Sequence, residues 1–238
     1  MKIITWNCNM AFRKKVDLML KQQPDILVIP ECEHPSRFKF RDNALQPVDW
    51  LWFGWNQNKG LGIFSYSEYK FKLLRSYNPD FKLIVPVSVS NGIEKFTLYA
   101  IWAHNPSDKE GRYITQVWKA INFYNQRLKN KNTLLVGDFN SNTVWDKPRR
   151  IGNHSTVVDF LKKKGIHSAY HHHFKQEQGK EQHPTLYLYR QQDKQYHIDY
   201  CFASKNLIEK LQSVEVGEYG QWSTYSDHVP LITHFNLE

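Results

Sequence analysis

Cysteine is scarce in this chain: Cys8, Cys32 and Cys201 are the whole supply in 238 residues. An odd, sparse set without metal-ligand spacing points to free thiols in a reducing cytosol, so a cytoplasmic protein is expected. There is no run of about 18 apolar residues, so no transmembrane segment is expected. No secretory leader is expected either, since Met1-Lys2 passes straight into Ile3-Ile4-Thr5-Trp6 and then into polar sequence. Linkers, repeats and low-complexity blocks are also absent, which leaves one domain spanning 1–238. Acidic residues are outnumbered, 23 against 32 Lys and Arg, giving a net charge of +9. Such a balance favours a polyanionic partner, with nucleic acid the first choice and an anionic membrane surface the second. No obligate protein partner is implied.

Apolar residues make up 41% and aromatics 15% of the chain, enough for a substantial core. Ile3 to Trp6 reads as a strand ending on Asn7. A helix over Ala11 to Gln23 follows, with Phe12, Val16, Met19 and Leu20 at helical spacing and Pro24-Asp25 as its stop. Ile26 to Ile29 is an apolar strand closed by Pro30 and Glu31. A strand–helix–strand unit with so little polar alternation belongs to a sheet covered by helices. Leu61 to Tyr66 is another strand. Leu83 to Ser90 and Lys95 to His104 form a hairpin about Asn91-Gly92, and Asn105 to Asp108 is a turn and helix start. Ile114, Val117, Trp118, Ile121, Tyr124 and Leu128 mark one face of a long helix. Ser155 to Lys164 is a shorter helix stopped by Gly165. The polar stretch His171 to His183 is expected to be a mobile loop. Thr185 to Tyr189 and Tyr196 to Ala203 pair as strands, Ser204 caps a brief helix through Leu211, and Pro230 to Phe235 closes the chain.

The informative stretch is Leu134 to Ser141. An apolar run that stops on Asp138 reads as a buried strand delivering a carboxylate to a sheet edge. Strand side chains alternate, so Asn140 points the same way. An acid and an amide presented together suit phosphate chemistry, although Gly-Asp-x-Asn is also good turn material. Four further strand ends carry comparable groups: Asn7, Glu31, Asp199, and Asp227 with His228. Ligands of open α/β sheets gather beyond strand ends, where these groups would meet.

Thr5-Trp6-Asn7, Ile29-Pro30-Glu31, Lys59-Gly60-Leu61-Gly62-Ile63-Phe64-Ser65, Val136-Gly137-Asp138-Phe139-Asn140, His197-Ile198-Asp199-Tyr200 and Ser226-Asp227-His228 occur in one order. That ordered set resembles the endonuclease/exonuclease/phosphatase superfamily, in particular its exonuclease III-like and pancreatic deoxyribonuclease-like branches. The resemblance implies an α+β fold, a four-layer α/β/β/α sandwich of two mixed, mostly antiparallel sheets with helices outside. It also implies a metal-dependent phosphodiesterase. Mg²⁺, for which Mn²⁺ can substitute, keeps several waters and binds through one or two carboxylates. Glu31 suits the principal ligand, with Asp227 or Asn7 beside it. By the same resemblance Asp138 orients or deprotonates the attacking water, Asn140 holds it or the phosphate, and Asp199 pairs with His228 at the phosphate oxygens.

His104 stands where the deoxyribonuclease branch places the residue that protonates the leaving oxygen. Its glutamate partner there is replaced by Lys59-Gly60, closer to the exonuclease III-like pattern. Arg112 is placed to bind phosphate or, equally, to be a solvated helix-start arginine. Trp50, Trp52 and Trp55 offer stacking surfaces for bases, with Trp55 the candidate contact, against the alternative of an aromatic run half in the core. His171-His172-His173 cannot all face one ion from a regular strand; a polar loop is the simpler reading, with phosphate contact by His172 the other. The basic charge favours a nuclease on DNA or RNA. The alternatives are hydrolysis of a small or lipid phosphoester, and a non-catalytic phosphoester- or nucleic-acid-binding protein on the same scaffold.

Overall fold

The computed structural model describes residues 1–38, 45–81, 83–104 and 113–237. In chain order the elements are β1 (Lys2–Thr5), α1 (Val16–Leu20), β2 (Ile26–Cys32), β3 (Asp49–Asn56), β4 (Lys59–Ser65), β5 (Lys70–Leu73), β6 (Ile84–Ser90) and β7 (Lys95–Trp102). After them come α2 (Ile114–Phe123), β8 (Thr133–Asp138), α3 (His154–Lys163), β9 (Ile166–Ser168), α4 (Ala169–Phe174), β10 (Leu186–Tyr187) and β11 (Gln195–Tyr196). The last elements are β12 (Asp199–Ser204), α5 (Lys205–Ile208), β13 (Leu211–Val216), α6 (Tyr219–Trp222) and β14 (Leu231–Phe235).

Two six-stranded sheets result, ordered β13-β14-β1-β2-β4-β3 and β5-β6-β7-β8-β12-β9. Each contains a single parallel pair, β1–β2 and β7–β8, and is antiparallel elsewhere. Those two pairs flank α1 and α2, as a return to a parallel neighbour requires a crossover. Between the sheets lies one apolar layer, which includes Ile3, Val28 and Ile63 from the first and Val87, Leu98 and Val136 from the second. The alternate residues face outward and are buried as well. Ile4, Leu27 and Ile29 meet Phe12 and Met19, while Tyr99, Ile101 and Leu135 meet Val117, Ile121 and Leu161. Burial of both faces explains the uninterrupted apolar strands, and the result is the expected α/β/β/α sandwich.

Several local expectations are corrected. No single helix spans Ala11 to Gln23. Asn9, Met10 and Ala11 hold φ of 50°, 62° and 50°, and a short 3-10 turn at Phe12–Lys14 precedes α1. Buried Glu33 imposes this, accepting the backbone N–H groups of Phe12 at 2.6 Å and Arg13 at 3.1 Å. Strand β2 does not close at Pro30 but runs to Cys32 through a bulge, and Glu31 inside it has φ 60°. The Asn91-Gly92 hairpin, by contrast, forms as expected: Ser90 pairs with Lys95, and Asn91 N–H donates to Glu94 O at 3.2 Å. The long helix ends at Phe123 and is followed by a 3-10 turn at Arg127–Lys129.

The stretch His171 to His183 begins as helix α4, and its remainder is tied down by side-chain hydrogen bonds. The strand expected over Tyr196 to Ala203 is shared out: β11 pairs with β10, while β12 pairs with β8 and β9. Ser204 does not cap α5 with its side chain. Its hydroxyl donates to Lys131 O at 2.6 Å and accepts Thr133 N–H at 3.0 Å. Leu211 opens β13 instead of ending a helix. The turn at Asn105 to Asp108 lies outside the described residues.

Candidate active site

The strand ends converge on Asp138. In the second sheet it stands level with Trp102 of β7 on one side and Asp199 of β12 on the other. Gly137 makes that register attainable: its φ is 143°, and a Cβ there would lie 1.9 Å from Ile101 O. Asp138 is fully buried. Its carboxylate accepts Asn7 Nδ2 at 3.0 Å, Asn140 N–H at 2.8 Å and Asn140 Nδ2 at 3.1 Å. The backbone contact bends the chain into a left-handed Asn140, φ 48°. An acid of one sheet is thereby joined to the end of β1 in the other.

Asp199 is also fully buried, and its Oδ2 lies 2.8 Å from His228 Nδ1. Thr185 Oγ1 accepts the N–H groups of Ile198 and Asp199, at 2.9 and 3.0 Å, which fixes the start of β12. Ser226 Oγ donates to Asn7 O at 2.8 Å and accepts His228 N–H at 3.1 Å, tying the closing motif to β1. Ligand atoms of Asp138, Asp199 and His228 all lie within 4.8 Å of one another. Burial, and then the charge of Asp199, push the Asp138 carboxyl well above its ordinary range. Burial works against charging His228, yet Asp199, Asp138 and Asp227 outweigh it and hold the imidazole protonated well above its usual range.

Above these groups opens a cavity of about 380 Å³. Asn7, Glu31, Asn140, Asp227 and His228 line its polar side, and Trp55, Trp102 and His104 line another. The β2 bulge turns Glu31 into the cleft, where Lys59 Nζ meets it at 2.9 Å. Lys59 in turn lies 5.4 Å from the centre of the Trp102 ring. His104 is buried, its ring centre 4.8 Å from that of Trp55 and 5.5 Å from that of Trp102.

Four carboxylates, Glu31, Asp138, Asp199 and Asp227, therefore surround two cationic side chains, Lys59 and His228. Asp199 Oδ1 is buried without a hydrogen-bond partner among the described residues. An all-oxygen donor set with excess negative charge suits a hard divalent cation. The residues present fit such an ion. Two groupings are close at hand: the tight buried cluster of Asp138, Asp199 and His228, and the two acids Glu31 and Asp227 on the cleft wall. His228 is engaged with Asp199 and is a poor ligand while protonated, which leaves the wall acids as the accessible donors.

Sequence reasoning placed Asn7, Glu31, His104, Asp138, Asn140, Asp199, Asp227 and His228 here, and the structure brings all of them together. Trp55 also reaches the cleft. His172 does not: it lines a separate cavity with Lys162, His167 and Glu177, because α4 carries it away from the strand ends. Arg112 lies outside the described residues. Lys59, Trp102 and Thr185 were missed as site residues. Lys59 was visible only as a departure from a glutamate, and Thr185 carried no signal, since its role is set by the register of β12.

The profile of the Endonuclease/Exonuclease/phosphatase family matches residues 4–228. The chain belongs to that family. Membership makes it a phosphoric ester hydrolase of the nuclease and phosphodiesterase type. No curated protein matches it, but solved structures share its fold. The 3′ phosphatase NExo from Neisseria, bound to a product DNA hairpin, superposes with a TM-score of 0.72 at 21% identity over 99% of both chains. The endonuclease domain of TRAS1, a telomere-specific non-LTR retrotransposon, gives 0.68 at 15% over 100% of this chain and 99% of the other. An AP endonuclease from Archaeoglobus fulgidus gives 0.67 at 16% over the whole of both.

Proposed function

We propose that this single-domain hydrolase is a Mg²⁺-dependent nuclease that cleaves phosphodiester bonds of DNA or RNA by attack of water. The observation that carries the reading is the convergence at Asp138. Two amides fix a buried carboxylate, a protonated imidazole sits within 4.8 Å of it, and two more acids stand on the wall above. Glu31 and Asp227, with Asn7 beside them, hold the divalent ion, which on binding supplies charge stabilisation for the phosphoryl oxygens.

The rest is done by the chain. Asp138, its basicity raised by burial and by Asp199, accepts a proton from the attacking water. Asn7 and Asn140 stop that carboxylate from rotating, so the water meets one lone pair in one direction. Asn140 stands at the cavity wall to hold the water or a phosphate oxygen. His228, kept cationic by Asp199, donates Nε2–H to a phosphate oxygen as negative charge builds there. His104, set beside Trp55 and Trp102 in the cleft, protonates the departing sugar oxygen.

Nucleic acid is the substrate we favour, supported by the +9 charge and by the relative solved with a DNA hairpin. Three buried thiols support a reducing, cytoplasmic setting. A panel of labelled single- and double-stranded DNA and RNA, abasic duplex and small phosphoesters, assayed with Mg²⁺ or Mn²⁺, tests the reading. Cleavage of at least one polynucleotide is expected. Turnover confined to small or lipid phosphoesters would replace the nuclease by the rival hydrolase.

A further inference from the structure

Beside the catalytic cleft lies a second, apolar cavity of about 460 Å³, lined by Trp52, Phe53, Gly54, Trp55, Tyr77 and Leu83. Four of those six residues are aromatic. It shares Trp55 with the catalytic cavity, so one indole is the partition between the two.

The hairpin is built to display that indole. Residues 51 and 53 of β3 pack into the inter-sheet core, and a bulge between Gly54 and Asn56 interrupts the pairing just before the strand ends. Trp55 follows on the same face and leaves the core at its open edge. There Trp102 backs it at a ring distance of 6.1 Å with planes 16° apart, and His104 meets it edge-on. Despite this backing, Trp55 is 60% exposed. Trp52 braces the hairpin from the opposite face. Its Nε1 donates to Cys32 O at 3.0 Å, and its ring occupies space that a Cβ at Gly54 or Gly60 would need, with gaps of 2.3 and 2.4 Å. Phe53 and Tyr77 hold each other at 5.5 Å on the far wall.

An exposed tryptophan held so firmly is a preorganised stacking platform, and it loses little entropy when a flat ring settles on it. We propose that this cavity is a nucleobase subsite: it receives an unstacked base of the strand whose phosphate occupies the catalytic cleft. Three features choose that occupant. Phe53, Trp55 and Tyr77 supply aromatic rings to the walls, which suits a planar ring. The two cavities share Trp55, so a strand with its phosphate in one can present the neighbouring base to the other. Lys59 lines the catalytic side, paired with Glu31 at 2.9 Å and set over the Trp102 ring that backs Trp55, and supplies positive charge for the backbone there. Bases inside a duplex already have both faces covered, so the subsite favours single strands, frayed ends or flipped nucleotides. The inference rests on the nuclease reading and deepens it.

Binding separates the two ideas. The Asp138→Asn protein is titrated by fluorescence anisotropy with a labelled single-stranded oligonucleotide and with an all-abasic strand of equal length. The two carry the same backbone charge, so salt-sensitive phosphate contacts cancel in the ratio of affinities. The base-bearing strand is expected to bind about tenfold tighter or more. Adding Trp55→Ala should abolish the preference, and Trp55→Phe should retain most of it. Trp55→Ala weakening both strands equally, or neither, would overturn the subsite while leaving the nuclease reading intact. If neither strand binds at low salt while a small phosphoester is hydrolysed by the wild type, the nuclease reading itself fails and takes the nucleobase with it.

Discussion

Two regions of this protein bury imidazole beside carboxylate, and they do opposite things with it. At the strand ends His228 faces Asp199, Asp138 and Asp227, and the crowd of acids raises its affinity for a proton. Around α4, the imidazoles of His154, His171 and His197 gather around Glu181, with Asp146 beside His154 as the other nearby acid. His171 Nε2 lies 3.0 Å from Glu181 Oε1, His154 Nε2 lies 3.1 Å from Gln178 Oε1, and His197 Nδ1 donates to His183 O at 2.8 Å. Burial lowers His154 and His197 to about 4, so both are neutral under ordinary conditions. Burial resists ionisation of Glu181, but bonds from His171, the Gly179 N–H and Asn142 hold it down at about 2. The difference teaches how to tell chemistry from scaffolding. Where acids outnumber cations and a carboxylate oxygen is left unpartnered, charge is being stored for a ligand. Where one acid is saturated by donors, the network anchors a segment, here the backbone that precedes β12 and, through Asn142, the loop that follows Asp138.

Mutations break this contrast in a graded way. Asp138→Asn keeps the shape of the central acid, removes its basicity and turns one of its two accepting oxygens into a donor that faces Asn7 or Asn140. Turnover should fall about a thousandfold or more, with affinity for the nucleic acid nearly unchanged. Single-turnover rates beside anisotropy titrations check this, and a rate within tenfold of wild type would remove Asp138 from the chemistry.

Glu31→Gln should come next, losing about a hundredfold and shifting the Mg²⁺ dependence to higher concentration. An unshifted metal titration would place the ion elsewhere, with the buried cluster as the alternative. His104→Ala should cost roughly a hundredfold on a natural leaving group, and much less on a nitrophenyl phosphodiester, whose leaving group needs no proton. Equal, mild losses on both would show that His104 only packs between Trp55 and Trp102.

The smallest effect on rate belongs to the α4 network, where stability is the readout. Below pH 6.5 the unfolded chain takes up protons at positions 154 and 197 that the folded state refuses until about pH 4. The contribution of these two imidazoles is therefore complete above pH 6.5 and should be lost between those limits, about 3 kcal/mol for each. Asp138, its carboxyl held well above the ordinary range, works in the opposite direction. Glu181 works at lower pH. Its contribution is complete above about pH 4.5 and is lost as pH falls towards 2. Denaturant melts across pH 4–7 for wild type and Glu181→Gln test this. Glu181→Gln should lower stability while leaving kcat within tenfold of wild type; a catalytic loss to rival Asp138→Asn would put the network in the reaction.

The same contrast decides what could be read from the sequence. The catalytic cluster was legible because its members end apolar strands: Asn7 after Ile3 to Trp6, Glu31 after Ile26 to Pro30, Asp138 after Leu134 to Gly137. The strand ends themselves follow from that pattern, but strand alternation did not place Asn140 or Glu31. Strand β8 stops at Asp138 and a left-handed turn brings Asn140 back onto it, while a bulge turns Glu31. The α4 region was not legible. Its histidines looked like a mobile polar loop, because nothing in the local pattern shows that Glu181 folds inward to meet His171 and Asn142. The broken first helix failed for a related reason, since the acid that reshapes it, Glu33, lies 21 residues beyond Phe12 in the chain. Long-range side-chain capping leaves no periodic trace. Lys59 was hidden likewise, being meaningful only once the β2 bulge sets Glu31 against it.

The central claim is that the acids of the cleft wall serve a divalent ion in the hydrolysis of nucleic acid. It is tested most directly by following cleavage of a labelled oligonucleotide by the wild-type protein in excess chelator, and then after Mg²⁺ is restored. The account predicts no cleavage in chelator and full recovery with Mg²⁺, with the Asp138→Asn protein inactive in both. Undiminished cleavage in chelator would contradict it.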